Sequence, residues 1–207
     1  MNMTSEQRNL LKVLMNNKVV LEELMKAAFI QQKQVKDLQI KESVSIADIT
    51  WSKFAEDREG NAYMLADENI VSMEFGDNND WRESQIRKKL NGELYQKIVA
   101  ELGANALVTI QTDLFSHDGL RDYGKCNDNI SLLTYDLYRN NRENIKNVDR
   151  HFWTCTPDST TPSVSNAFCV LCVDSGGDVF YGHCYYDGGV RPFCILKSSI
   201  FVSCGKL

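Results

Sequence analysis

GGDVFYGHCYYDGGVR, residues 176–191, is the stretch that decides how this chain is read. It reads as the turn and return strand of a hairpin. The strand carries Phe180, Tyr181, His183, Tyr185 and Tyr186 and closes on Gly188-Gly189-Val190-Arg191-Pro192. Between Arg150 and Arg191 there is no Lys, Arg or Glu, although charged residues make up 25% of the chain. Tyr, Phe, Ser, Thr, Asn, Gly, Cys and Asp take their place. Binding loops use this palette, because aromatics supply contact area at low entropy cost and small polar residues adapt. Composition leaves two readings open: a presented face, or a buried strand pair near the end of the fold.

Outward from that stretch, the whole chain sets bounds. Its 207 residues suit one ordinary domain with an appendage, large enough for a core without staples. A net charge of −5 provides no basic field for nucleic acid or anionic lipid. No apolar run has the length of a membrane span. The N-terminal residues lack a basic segment followed by an apolar one, so cytoplasmic synthesis is expected, which also suits a virion-associated product. Seven cysteines without a secretion signal argue against disulfides. Cys169-x-x-Cys172 resembles half of a zinc site, but its neighbours are strand-like and residues three apart on a strand face opposite ways. Small apolar filler or side chains on a presented surface are the expectation, with no metal and no cofactor.

In chain order, residues 4–39 are expected to form one long helix. Leu10, Leu14, Leu21, Leu24, Ala28, Val35 and Leu38 fall on a heptad seam, interrupted by Asn17 and Gln31. This predicts a dimer or trimer through residues 4–39, and a domain division at 1–40 and 41–207. Short strands are predicted at 45–51, 62–66 and 70–75, then helices at 81–91 and 93–102 separated by Gly92. Further strands are predicted at 108–112 and 130–134, then a polar helix or loop at 135–150. Strands at 166–173, 178–186 and 189–196 follow, the first two joined by a turn at 174–177.

Trp81-x-x-Ser84-x-Ile86-Arg87-x-x-Leu90-Asn91, the strand Ile130–Thr134, Trp153-Thr154-x-Thr156-Pro157 and Gly189-Val190-Arg191-Pro192 occur in that order. Together they resemble an uncharacterised domain family of gut Firmicutes and their phages, over about residues 49–202. Such domains look like members of the C-type-lectin-like fold group, which includes formylglycine-generating enzymes and the variable proteins of diversity-generating retroelements. The resemblance implies an α+β fold of short antiparallel sheets and two helices behind the long N-terminal helix. It implies scaffold roles for Trp81, Arg87, Trp153 and Arg191, the last on buried carbonyls or a carboxylate. It implies a ligand face drawn from Asn166, Phe168, Phe180, Tyr181, His183, Tyr185, Tyr186 and Asp187, with strand alternation burying about half of them. The residue mixture at 166–187 is similar to what adenine-directed mutagenesis of Asn codons produces.

Catalysis finds little support. The three histidines are His117, His151 and His183, and His183 and Cys184 are strand neighbours that face apart. No nucleophile elbow, phosphate loop or zinc-protease motif is present. The expectation is a non-enzymatic recognition domain for a protein or carbohydrate. The alternatives are a structural virion or cell-surface subunit, or a formylglycine-generating-type enzyme.

Overall fold

A computed structural model describes residues 4–6, 12–13, 31–160 and 165–204. The fold is mixed α+β and mostly sheet. Its first sheet has the order β2-β3-β4-β13-β8: Ser43–Ile46, Ile49–Glu56, Ala62–Ala66, Phe193–Leu196 and Ile130–Ser131. The second has the order β11-β10-β9-β12-β5: Val179–His183, Cys169–Val173, Phe152–Pro157, Asp187–Val190 and Val71–Glu74. Two ribbons complete it, β1 (Gln31–Gln34) with β14 (Phe201–Cys204), and β6 (Ile110–Asp113) with β7 (Lys125–Asp128). The second sheet is not purely antiparallel, since β12 runs parallel to β9 and meets it at one pair, Gly189 with Phe152.

Successive side chains on a strand point to opposite faces, so β9 feeds two cores. Trp153 joins Trp51, Phe75 and Trp81 in one apolar cluster. Phe152 joins Phe54, Tyr138 and Phe193 in the other. Arg191 is buried between β12 and β13. Its Nε donates to the Ala66 carbonyl at 2.8 Å and an Nη to the Lys146 carbonyl at 3.0 Å, while its guanidinium lies 5.1 Å from the centroid of the Phe152 ring.

Each residue of the motif that begins at Trp81 has a local task. Ser84 caps α1 (Gln85–Lys89), accepting from the Ile86 N–H and donating to the Phe75 carbonyl. The Trp81 indole and the Arg87 guanidinium both donate to Asp128, at 2.8 and 2.7 Å. Asp128 is buried, and this pairing satisfies its charge. Asn91 accepts from the backbone N–H groups of Asn129 and Ile130 and donates to the Ile130 carbonyl, pinning β8 to the helix.

Several sequence expectations need correction. The helix expected over 4–39 lies mostly outside the described residues, but it does not reach 39. Gln31–Gln34 is a strand and Val35–Asp37 a 3-10 turn. Val35 and Leu38, expected on an intermolecular seam, are buried in this chain's own core, and the Leu38 carbonyl accepts from the buried Lys53 ammonium at 2.8 Å. Tertiary packing has overridden a heptad pattern there, and residues 31–40 belong to the folded body. The strand expected at 45–51 is a tight hairpin. Ala47 and Asp48 have φ of 54° and 61°, the conformation of a two-residue hairpin turn, and the Ala47 N–H donates to Glu101. Gly92 ends no helix. Leu90–Leu94 is a π-helical turn that carries the chain from α1 into α2 (Tyr95–Leu102).

Two measurements check this packing. A Cβ at Gly188 would come within 2.5 Å of the Trp153 indole, whereas one at Gly92 meets nothing within 4 Å. Gly188→Ala is expected to lower unfolding free energy by about 1–3 kcal/mol and Gly92→Ala to raise it by about 0.5–1 kcal/mol, read by urea titration. A chain beginning at Gln31 keeps β1, Val35 and the Leu38 carbonyl. One beginning at Ile40 loses them and is expected to show a clearly lower Tm, since each buried aliphatic side chain contributes about 1.5–3 kcal/mol.

Candidate ligand-binding face

The candidate face is built on β10, β11 and the turn after them. β10 is buried throughout and β11 is the outer strand of its sheet. The hairpin between them is held at its tip. The Asp174 carboxylate accepts from the N–H groups of Gly176 and Asp178, the Tyr138 hydroxyl donates to the Gly177 carbonyl, and Arg142 donates to the Gly176 carbonyl. Tyr138 and Arg142 come from α3 (Tyr135–Asn140) and the 3-10 turn after it. The other end is held by the Cys184 carbonyl, which accepts from the N–H groups of Phe75 and Gly76, and by the Cys184 N–H, which donates to the Phe168 carbonyl.

Trp153 sets the plane of the face. Its indole N–H donates to the Met73 carbonyl at 3.0 Å, and its ring lies against Gly182 of β11 and Gly188 of β12. A Cβ at Gly188 would overlap the ring at 2.5 Å, and one at Gly182 would press on it at 3.2 Å. The two strands therefore pack on one flat surface, and Cys184, between them, is buried.

The exposed side chains of β11 divide between its two faces: Phe180 shares the Gly182 and Trp153 side, and Tyr181 lies on the other with His183. Relative exposures are 50% for Phe168, 40% for Phe180, 57% for Tyr181, 50% for Tyr185 and 59% for Tyr186. Strand alternation predicts that about half of these would be buried, and none is. The reason is topological. Tyr185 and Tyr186 sit in the turn after β11, and β11 has no neighbour on its outer side, so neither of its faces is fully covered. Ring contacts form two groups: Tyr185 stacks on His183 at 5.2 Å and 19° and meets Tyr186 edge-on at 4.9 Å, while Phe180 meets His151 edge-on at 5.7 Å. Asp187 is exposed at the end of the cluster and His183 is half-buried. Asn166 lies in the 3-10 turn Ser165–Phe168 that leads into β10. His151, Gly182 and Gly188 also shape the face and were not singled out from sequence. A Gly inside the aromatic strand and a second just after its turn were the available signals.

The cysteines of this region are not part of the presented surface. Cys169, Cys172 and Cys184 are buried and unpaired, as are Cys126, Cys155 and Cys194. Burial pushes the thiols of Cys155, Cys172 and Cys194 up to about 12 and raises those of Cys169 and Cys184. Cys169 faces His183 across the strand pair, sulfur to Nδ1 3.6 Å. A thiol whose burial resists ionisation is a poor nucleophile even beside an imidazole. Among the described residues no group of three His, Cys, Asp or Glu is placed to hold a metal ion, and no helix is long and apolar enough to cross a membrane. A cleft of about 770 Å³ lies elsewhere, lined by His117, Arg121, Tyr135 and Arg139. Within it Arg121 pairs with Asp113 and Arg139 with Asp136, and His117 Nδ1 lies 3.4 Å from the Asp158 carboxylate.

Tyr181→Ala with Tyr185→Ala is expected to move Tm by less than about 2 °C, since exposed positions away from the core change stability little. The buried thiols give a pH prediction. Their folded values lie above the ordinary 9.0, so the stability they confer is complete below that value and is lost as pH rises toward 12. The urea midpoint is expected to stay level up to about pH 8 and to fall above about pH 9. No family model, no curated protein and no solved structure matches the chain.

Proposed function

We propose that the chain is a non-enzymatic recognition domain that binds its ligand through the rings of Phe168, Phe180, Tyr181, Tyr185 and Tyr186, with His183 and Asp187 supplying polar contacts. One observation carries this reading: five large aromatic side chains are exposed within one short region, on β11, in the turn after it and in the turn before β10. Exposed apolar surface of that kind is what binding sites retain and other surfaces avoid. Tyr is suited to the task because it buries a large area with a polar tip and few rotors. The support is ordered without a ligand, so association orders few groups.

The reading extends to the C-type-lectin-like fold group and to its retroelement-diversified members. Two things support that extension: the order of motifs from Trp81 to Pro192, and the division of residues 168–187 into exposed aromatic and polar positions and buried Cys and aliphatic positions. Diversification of the exposed positions would leave Trp153, Gly182 and Gly188 untouched.

A glycan array and a bacterial surface-protein array, probed with the full chain, test the binding. Expected is a ligand whose capture is abolished by Tyr181→Ala with Tyr185→Ala while the variant's Tm is retained. Capture that survives the double change would refute the face. Diversification is tested in the coding DNA by a near-copy of the 165–195 segment that differs at adenines, beside a reverse transcriptase.

A further inference from the structure

Resting on that reading, we infer that the face takes an extended segment of a partner protein, which adds as a sixth strand to the outer edge of β11 and brings Lys or Arg to its Asp187 end. The hydrogen-bond phase of the β10–β11 pair supports this. At one end the Asp174 N–H donates to the Asp178 carbonyl, and at the other the Cys184 N–H donates to the Phe168 carbonyl, in one unbroken register. In an antiparallel pair, bonded residues alternate with residues whose N–H and C=O point the other way. Phe180 and Gly182 thus face β10, and Val179, Tyr181 and His183 face outward. The His183 carbonyl is taken by the Tyr186 N–H. Among the described residues nothing pairs with the outward N–H groups of Val179, Tyr181 and His183 or with the carbonyls of Val179 and Tyr181.

Native edges are usually protected by Lys, Pro, a bulge or a covering segment. β11 has none of the first three: its sequence is VFYGH, and its register with β10 is continuous. An unprotected edge flanked by exposed rings is the arrangement that strand addition uses, with main-chain bonds giving affinity and alternate side chains giving selectivity.

Charge selects the partner. Residues 151–190 contain four Asp and no Lys or Arg. Past the turn that follows β11, at the start of β12, Asp187 stands directly opposite Glu74 of β5, both exposed. Like charges opposite one another on a sheet are unfavourable, and among the described residues neither carboxylate has a salt bridge. A cation from the added strand relieves that repulsion.

The probe is a display library of short random linear peptides, selected on the full chain. Expected peptides alternate apolar and polar residues, carry Lys or Arg near one end, and slow hydrogen exchange at the Val179, Tyr181 and His183 amides. Val179→Pro removes one outward N–H and keeps every ring, and Val179→Lys blocks the edge by charge without altering the backbone. Each should weaken peptide binding about tenfold or more. Glu74→Gln with Asp187→Asn should erase the preference for Lys and Arg. If no peptide distinguishes the wild-type chain from the Val179 variants, strand addition is overturned. If the Val179 variants bind a glycan or peptide normally while Tyr181→Ala with Tyr185→Ala does not, the rings bind but the edge does not. If neither pair of changes affects binding, the face itself is wrong. A wild-type dimer that Val179→Pro dissociates would assign the edge to a second copy of this chain and overturn the partner.

Discussion

The placement of the Trp153 indole against two glycines is the constraint on which the rest of the structure depends. The ring is fixed by one hydrogen bond to the Met73 carbonyl and by contact with Gly182 and Gly188. β11 and β12 lie on opposite sides of β9 in the sheet order, yet only residues 184–186 separate them. That short connection is feasible because β12 meets β9 at a single pair and both strands pack onto the same indole. A larger residue at Gly188 would push β12 off the ring, and one at Gly182 would crowd it. The turn carrying Tyr185 and Tyr186 would move with β12.

The same arrangement explains how a well-packed domain can expose so many rings. The apolar requirement of the fold is met by two clusters, one around Trp51, Trp81 and Trp153 and one around Phe54, Phe152 and Phe193. β9 and β10 fill both clusters from their two faces, so the outermost strand is not needed to close either. Its side chains are free of a packing role. The tip is tied down by Tyr138 and Arg142 and the far end by Cys184, so the strand stays ordered without being buried. Order without burial is the property a recognition surface needs, because little conformational entropy remains to be lost on binding.

Three buried charges tie the interior together. Asp128 is satisfied by Trp81 and Arg87, Lys53 by the Leu38 carbonyl and Glu56, and Arg191 by the carbonyls of Ala66 and Lys146. Each is a buried charge with named partners, and each joins segments distant in sequence. Burial pulls the Arg191 guanidinium down to about 10, which still leaves it charged at neutral pH. These ties hold the helix to β7, the segment after β1 to the first sheet, and β12 to the loop that ends near residue 146.

Local chemistry determined much of this protein from sequence alone. The β10–β11 turn at 174–177 and the strand character of 169–173 and 193–196 are set by neighbours within a few residues. The absence of cations from 151–190 marked the candidate face in the same way. Tertiary structure decided what depends on distant partners. The heptad spacing of Val35 and Leu38 is equally compatible with a helical seam, and only the pairing of β1 with β14 and the acceptor needed by Lys53 turn that segment into the body of the fold. Alternation along 178–186 cannot show which faces of a strand are covered. That depends on β11 being outermost, and sheet order is fixed by contacts between residues far apart in the chain, which no local pattern encodes.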